Sequence, residues 1–284
     1  MGLRIGKNLK NLFIKKRIYP SKGLGQNFLI DKNVLKKIIS VSDLKKTDVI
    51  LEIGPGTGIL TKELAKKTRK VIAIEKDPRL AEFLKQELKE NKNVEIIEAD
   101  ALKVKSLRLK VKSYKIVANL PYYITAPIIR MFLESPPVSG PPAGGPPELM
   151  VLMVQKEVAQ RICAKPPKMN LLAVSVQFYA QPEIISFVSK KSFLPKPKVD
   201  SAIIKISPIQ PNLARINANT FFKIVKAGFS QPRKKLINNL SKKLELSKEN
   251  VGEWLQVNKI KTEQRASELS LNDWIKLAIS FKEL

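Results

Sequence analysis

The sequence predicts an α/β protein: a largely parallel sheet covered by helices on both faces, followed by a small all-helical C-terminal domain. Two observations indicate this architecture. Short apolar runs alternate with helical patterns through the first part of the chain, which is the rhythm of βαβ units. After the segment SPIQPN the pattern is helical to the end, with no convincing strand.

Five apolar runs are predicted to form the parallel strands in chain order. They are Val49–Ile53, Val71–Ile74, Val94–Ile97, Tyr114–Ala118 and Leu149–Val154. Helical patterns separate the first three, and Asp77 followed by Pro78 is typical of a helix start. Two later runs, Glu183–Val188 and Ser201–Ile206, are predicted to form a terminal hairpin on the sheet.

We expect three parts along the chain. Residues 1–20 are a basic N-terminal arm, residues 21–210 the sheet domain, and residues 211–284 a helical domain rich in Lys and Arg. The segment 135–147 is rich in proline and glycine, which is typical of an exposed loop.

The charge of the chain indicates a polyanionic partner. There are 52 Lys and Arg against 25 Asp and Glu, a formal net charge of +27. Nucleic acid is the partner that such an excess favours. A basic proteome background and an acidic membrane surface are the alternatives. A membrane partner is the less favoured interpretation, because no uninterrupted apolar stretch approaches the length of a transmembrane helix.

The residue types that are rare or missing narrow the chemistry and the compartment. The chain has no histidine, which removes the commonest general base, the commonest zinc ligand and every histidine-based triad. An enzyme of this composition works by positioning or through a carboxylate, and we expect no metal. Cys163 is the single cysteine and the first residues lack a secretory signal, so a cytoplasmic location is expected.

A glycine-rich turn follows the first predicted strand. The stretch LEIGPGTG, Leu51 to Gly58, has glycines at Gly54, Gly56 and Gly58, where backbone can approach a ligand closely. The spacing G-x-G-x-G differs from the G-x-G-x-x-G of nicotinamide dinucleotide sites. A plain structural turn is the alternative for this motif alone.

Two acids strengthen the interpretation of this turn as a cofactor site. Glu75 closes the second strand, where a carboxylate can accept both hydroxyls of a ribose. Asp100 follows the third strand, where it can accept from the amino group of an adenine. Because the carboxyl ends of consecutive parallel strands meet at one edge of a sheet, these features predict a site for a nucleoside-containing cofactor.

The stretch VANLPYYIT ends the fourth strand beside this pocket. Its core, Asn119 to Tyr122, is similar to the [N/D/S]-[L/P]-P-[Y/F] motif of amino-methyltransferases that act on nucleic-acid bases. The amide of Asn119 and the carbonyl of Leu120 can each accept one N–H of an adenine amine and aim its lone pair at a methyl donor. Pro121 makes the turn rigid, and Tyr122 offers a stacking face. A strand-ending turn with a core tyrosine is the alternative, and Tyr123 is interpreted as packing.

Many further motifs in the right order make the chain resemble the ribosomal RNA adenine N6,N6-dimethyltransferases that modify small-subunit RNA. They include GQNFL at 25–29, VQKE at 154–157, FLPKPKVDS at 193–201, FSQPRKK at 229–235 and RASELS at 265–270. The resemblance implies a Rossmann-like class I methyltransferase sheet that binds S-adenosyl-L-methionine, and a helical domain that grips RNA. The sequence departs from the family pattern in three places: the long Pro/Gly-rich segment, the stretch KPPKMNLLAVSV, and Gln231-Pro232.

The resemblance also implies roles for particular residues, carried over position by position. The cofactor-binding residues would be Gln26, Asn27, Leu29, Gly54, Gly56, Glu75, Lys76, Asp100, Ala101 and Asn119. The target adenine would be held by Asn119, Leu120, Pro121, Tyr122 and Phe193, with Tyr122 and Phe193 stacking on its two faces. RNA would be contacted by Arg233, Lys234 and Lys235.

The resemblance implies dimethylation of two adjacent adenosines near the 3′ end of 16S rRNA during ribosome biogenesis, by a monomer acting on a pre-30S particle. One alternative is the large-subunit adenine dimethyltransferase of the macrolide-resistance type. The other is a non-catalytic RNA-binding assembly or transcription factor on the same fold, in which Glu75, Asp100 or Asn119 would be expected to have changed.

Overall fold

The computed structural model describes residues 19–21, 23–106, 113–134, 145–209 and 216–281. Nearly all of the basic arm predicted at residues 1–20 lies outside these ranges. Most of the Pro/Gly-rich segment at 135–147 and the domain boundary expected at residue 211 also lie outside them.

The described residues form strands and helices that alternate along the first half of the chain. The strands are β1 Phe28–Leu29, β2 Val49–Ile53, β3 Lys70–Glu75, β4 Val94–Glu98, β5 Lys115–Asn119, β6 Leu149–Gln155, β7 Ala180–Val188, β8 Phe193–Leu194 and β9 Ser201–Pro208. The helices are α1 Lys32–Val41, α2 Ile59–Ala65, α3 Pro78–Glu87, α4 Thr125–Leu133, α5 Lys156–Ile162, α6 Leu171–Gln177, α7 Ala218–Gly228, α8 Leu236–Leu244, α9 Lys248–Val257 and α10 Leu271–Ser280.

One seven-stranded sheet has the order β4-β3-β2-β5-β6-β9-β7. The strands from β4 to β6 are parallel, and β9 runs antiparallel to β6. The predicted α/β fold is therefore confirmed, with the two late strands side by side at one edge. The chain moves outwards from β2 to β4 and then returns to place β5 on the other side of β2. Open α/β sheets bind ligands at such a reversal of strand order.

The central strands β2, β5 and β6 are largely apolar and buried. Ile50, Leu51, Ile116 and Val151 are each 0 or 1% exposed, as expected for parallel strands buried on two sides. The start of α3 follows the sequence signal, since the Asp77 side chain accepts from the Arg79 N–H and Pro78 is the first helical residue.

The chain divides into two compact units. One holds the described residues up to Ala159 together with Pro182–Pro208, and the other holds Gln160–Gln181 together with the described residues from Ile209 onwards. The second unit therefore includes a segment that the sequence pattern had placed with the sheet. Its core surrounds Trp274 and Phe221, which are both fully buried. None of the described helices combines the length and apolar character needed to cross a membrane.

Candidate active site

The carboxyl ends of β2, β3 and β5 open into one pocket, which is also lined by the segment that leads into β1 and by residues that follow β4. Most of the site residues expected from the sequence meet there. They are Gln26, Asn27, Leu29, Gly54, Gly56, Glu75, Lys76, Asp100, Ala101, Asn119, Leu120, Pro121 and Tyr122. Residues distant in the chain, such as Asn27 and Asn119, which are 92 positions apart, are thus brought to one edge of the sheet.

The glycine turn has the left-handed backbone that its sequence predicts. Gly54 and Gly56 have φ of +68° and +59°, a conformation that side chains with a Cβ rarely adopt. A Cβ on Gly56 would lie 2.9 Å from the Phe28 ring, so the loop and β1 leave no room for one. The turn therefore brings bare backbone to the wall of the pocket.

Glu75 is held by two backbone donors at the end of β3. One carboxylate oxygen accepts from the Gly56 N–H at 3.1 Å and the other from the Asp77 N–H at 2.9 Å. Burial raises the pKa of Glu75, and these backbone hydrogen bonds oppose the rise. Since each carboxylate oxygen has two lone pairs, both oxygens can still accept from a ligand.

Asp100 and Lys76 form an ion pair on the same side of the pocket. The Lys76 Nζ lies 2.8 Å from Asp100 Oδ2, while Asp100 Oδ1 accepts from the Leu102 N–H at 3.0 Å. The hydrogen bond from Lys76 holds the pKa of Asp100 below its usual value. The carboxylate is therefore kept charged, as an acceptor for an amino group requires.

Residues 24–29 line the pocket and are held by side-chain contacts. The Gln26 amide donates to Asp77 Oδ2 at 3.1 Å and its oxygen accepts from the Ser21 N–H at 2.7 Å. β1 then pairs with β8, with Phe28 opposite Leu194. Residues 24–29 form one wall of the site, and we call them the strap.

Asn119 ends β5 with its amide against the strap. Asn119 Nδ2 donates to the backbone carbonyl of Asn27 at 3.1 Å, so the amide oxygen is the end of the side chain left for a ligand. The following Leu120 is buried, and its N–H donates to the Met153 carbonyl at 3.2 Å. The Tyr122 hydroxyl lies 2.8 Å from Ser201 Oγ on β9, which fixes the ring.

The remaining residues of the expected site lie elsewhere. The Phe193 ring is 3% exposed and packs in the sheet-side core with Leu29 and Leu35, so it does not line the pocket. Arg233, Lys234 and Lys235 are exposed residues before α8 in the second unit, where Lys235 pairs with Glu263. Among the described residues, no group of acids and cysteine is arranged to hold a metal ion.

Glu52 lines the pocket, and the sequence reasoning missed it. It is the fourth residue of β2, 1% exposed, and its Oε2 has no hydrogen-bond partner within the described part of the chain. Burial raises the pKa of Glu52 to about 8; the Thr61 hydroxyl opposes this rise and Glu75 adds to it. The sequence did contain a signal for this residue, since Glu52 is an acid inside an otherwise apolar predicted strand.

Tyr123 was interpreted as packing, but its ring is 52% exposed at the pocket. A Cβ on Gly25 of the strap would lie 3.4 Å from that ring, which shows how closely the two approach. The pocket therefore presents two adjacent tyrosine rings, one anchored on β9 and one at the strap.

Comparisons with known proteins agree with the motifs. The family model of ribosomal RNA adenine dimethylase matches residues 20–283. A ribosomal RNA small subunit methyltransferase A from Dehalococcoides mccartyi is 43% identical over 265 residues, 92% of this chain and 88% of that protein. One of the same name from Clostridium botulinum is 40% identical over 277 residues, 95% and 97% of the two chains.

Two solved structures of RNA methyltransferases are similar to most of the chain. A dimethyladenosine transferase from Plasmodium falciparum superposes with a TM-score of 0.74 at 29% identity, covering 90% of this chain and 98% of that one. The 23S rRNA methyltransferase ErmE superposes at 0.71 with 26% identity, covering 88% and 98%. The chain belongs to the ribosomal RNA adenine dimethylase family of enzymes.

Proposed function

We propose that this enzyme dimethylates N6 of two adjacent adenosines near the 3′ end of small-subunit rRNA, with S-adenosyl-L-methionine as methyl donor. It acts as a cytoplasmic monomer on a pre-30S particle, with residues 21–210 binding the cofactor and 211–284 contacting RNA. The observation that carries the proposal is the amide of Asn119, fixed by the strap, at the mouth of a pocket with a glycine turn and two acids. The relatives named as small-subunit methyltransferases support this substrate over the large-subunit alternative.

The residues of the pocket fit the proposed cofactor. Glu75 offers two acceptor oxygens for ribose hydroxyls, and Asp100 offers a charged acceptor for an adenine amine. Gly56 leaves backbone bare where a Cβ would collide with Phe28. The buried Glu52 oxygen without a partner among the described residues suits the cationic end of such a ligand. When bound, the cofactor supplies a methyl group on a positively charged sulfur.

The protein's own task is to orient the adenine amine. The lone pair of that nitrogen is delocalised into the ring, so it must be held in the reactive direction. Asn119 Oδ1 and the Leu120 carbonyl each accept one N–H of the amine. The donation from Asn119 Nδ2 to the strap keeps the oxygen end of the amide facing the ligand. Tyr122 stacks on the extruded base, and this stacking is worth about 1–3 kcal/mol.

Replacement of Asn119 by Ala tests the proposal. Methyl transfer from labelled S-adenosylmethionine to undermethylated small subunits should fall at least a hundredfold, while RNA affinity changes less than twofold. The matched control is Asn33→Ala, an exposed asparagine in α1, which should behave as the wild type. Mapping the label then identifies the substrate. Label in large-subunit RNA would favour the macrolide-resistance type, and no label at all would favour a non-catalytic RNA-binding protein.

A further inference from the structure

The amino ends of the parallel strands carry a concentration of positive charge that the active site does not use. Three loops meet there, residues 44–48, 66–70 and 90–93, and we call them the amino edge. Their cations are Lys45, Lys46, Lys66, Lys67, Arg69, Lys70 and Lys92. Arg69, Lys70, Lys92 and Asn93 line a shallow hollow between two of the loops.

Only part of this charge is neutralised by neighbouring acids. Lys66 pairs with Glu63 at 2.7 Å and Lys70 with Glu95 at 2.6 Å. Asp48 is turned inwards, where it pairs with the buried Lys115 at 2.9 Å. The other cations of the edge form no ion pair with any residue that the structure describes; they are Lys45, Lys46, Lys67, Arg69 and Lys92. All five are exposed.

The loops are tied to one another, so the cations stand on a fixed frame. The Asp48 carbonyl accepts from the Arg69 N–H at 3.0 Å, and the Asn93 amide donates to the Thr68 carbonyl at 3.1 Å. Lys46 Nζ reaches the Lys66 carbonyl at 2.7 Å. A frame that is already ordered loses little conformational entropy when a partner binds.

The chemistry of the edge favours phosphate over protein. Large exposed apolar side chains occur elsewhere in the described chain, but none lies in the three loops. Protein interfaces usually centre on aromatic or aliphatic anchors. Five unpaired cations on ordered loops, without such an anchor, instead suit the regularly spaced charges of a nucleic-acid backbone.

We propose that the amino edge is a second RNA-contacting surface, which binds phosphates of rRNA nucleotides other than the methylated adenosines. This inference rests on the proposed rRNA substrate. The strands between the two edges are five or six residues long, which separates edge and pocket by about 17–20 Å at ~3.3 Å per residue. One nucleotide cannot touch both, so the edge would bind phosphates of nucleotides other than the methylated adenosines.

The test compares two triple variants that remove the same charge. The edge variant carries Lys45→Gln, Lys67→Gln and Lys92→Gln. The control variant carries Lys36→Gln, Lys37→Gln and Lys85→Gln, which are exposed lysines on helices α1 and α3. Affinity for protein-free small-subunit rRNA is measured against salt concentration, together with cofactor affinity and methylation of undermethylated small subunits.

In a plot of log affinity against log salt concentration, we expect the slope of the edge variant to be smaller in magnitude than that of the wild type by about two to three. Each phosphate contact contributes ~0.7–0.9 to this slope, and the variant removes three cations. Its cofactor affinity should be that of the wild type, and the control variant should lose less than one from the slope. Equal slopes for the two variants would overturn the inference. So would a loss confined to assembled particles with naked rRNA unaffected, because the edge would then contact an acidic protein. A wild type that binds rRNA without methylating it would instead count against the proposed function.

Discussion

Replacing Glu52 by Gln is expected to make unfolding of the sheet unit less dependent on pH. Glu52 is 1% exposed, and burial raises its pKa from 4.5 to about 8. An acid whose pKa is raised by folding contributes its stability below the unfolded pKa. That contribution is lost as the pH rises towards the folded value. The wild-type protein should therefore lose stability between about pH 4.5 and pH 8 through this group.

The magnitude follows from the size of the shift. One pKa unit corresponds to about 1.4 kcal/mol. At pH 7 the unfolded chain has released the Glu52 proton and the folded protein has kept it, so the loss is roughly 3 kcal/mol relative to pH 4.5. A buried Gln amide without full hydrogen bonding costs about 1–3 kcal/mol, but this cost does not vary with pH. The pH dependence, rather than the stability at one pH, is the diagnostic quantity.

The assay is urea unfolding of the ligand-free protein at pH 5, 6, 7 and 8. Wild type and Glu52→Gln are compared with Glu95→Gln, whose side chain is 49% exposed on β4. Glu75, whose pKa is also raised, is present in all three proteins, so the difference isolates Glu52. If wild type and Glu52→Gln lose stability equally from pH 5 to pH 8, the buried acid is not protonated in the folded protein and the reasoning fails.

Three other substitutions probe the pocket and the second unit. Gly56→Ala should weaken binding of S-adenosylmethionine at least tenfold in titration calorimetry, because φ is +59° and the Cβ would meet Phe28 at 2.9 Å. An unchanged affinity would contradict the requirement for glycine at this position. Tyr123→Ala should raise KM for the RNA substrate about fivefold or more, since an exposed ring offers a stacking face. A KM within twofold of the wild type would indicate that Tyr123 does not contact the RNA. Gly228→Ala should lower the free energy of unfolding of the second unit by about 1–3 kcal/mol, because its Cβ would lie 2.4 Å from Trp274. Tryptophan fluorescence during urea unfolding measures the change. An unchanged midpoint would contradict the prediction, since it would show that the core accommodates the added methyl group without loss of stability.

Most of the sheet could be predicted because its central parallel strands are buried and read as apolar runs, whereas the edge strand β4 is partly exposed and contains two glutamates. Val49–Ile53 and Leu149–Gln155 are strands in the structure close to where the sequence placed them. The pocket could be predicted for a related reason. The carboxyl ends of neighbouring parallel strands must meet, so Glu75 and Asn119 come together once the strands are assigned.

Contacts that depend on tertiary packing could not be predicted from local pattern. The hydrogen bond from Asn119 to the Asn27 carbonyl joins residues 92 positions apart, and no local sequence pattern near either residue indicates it. The burial of Phe193 depends on the pairing of β8 with β1. Residues 160–181 join the second unit because their apolar side chains, such as Phe178, pack on Phe221 with ring centroids 4.2 Å apart.

The contact between Asn119 and the strap changes how the site should be understood. An amide side chain presents either its oxygen or its nitrogen to a ligand, and only the oxygen can accept from an adenine amine. Here the nitrogen end is occupied by the Asn27 carbonyl, and Asn27 is held in turn by β1 and by the hydrogen bond from Gln26 to Asp77. In the mechanism proposed above, the strap as well as β5 therefore sets the preference of Asn119 for an N–H donor. In the proposed mechanism, the amine is oriented by fixed acceptors rather than by a base, and a chain without histidine can supply such acceptors.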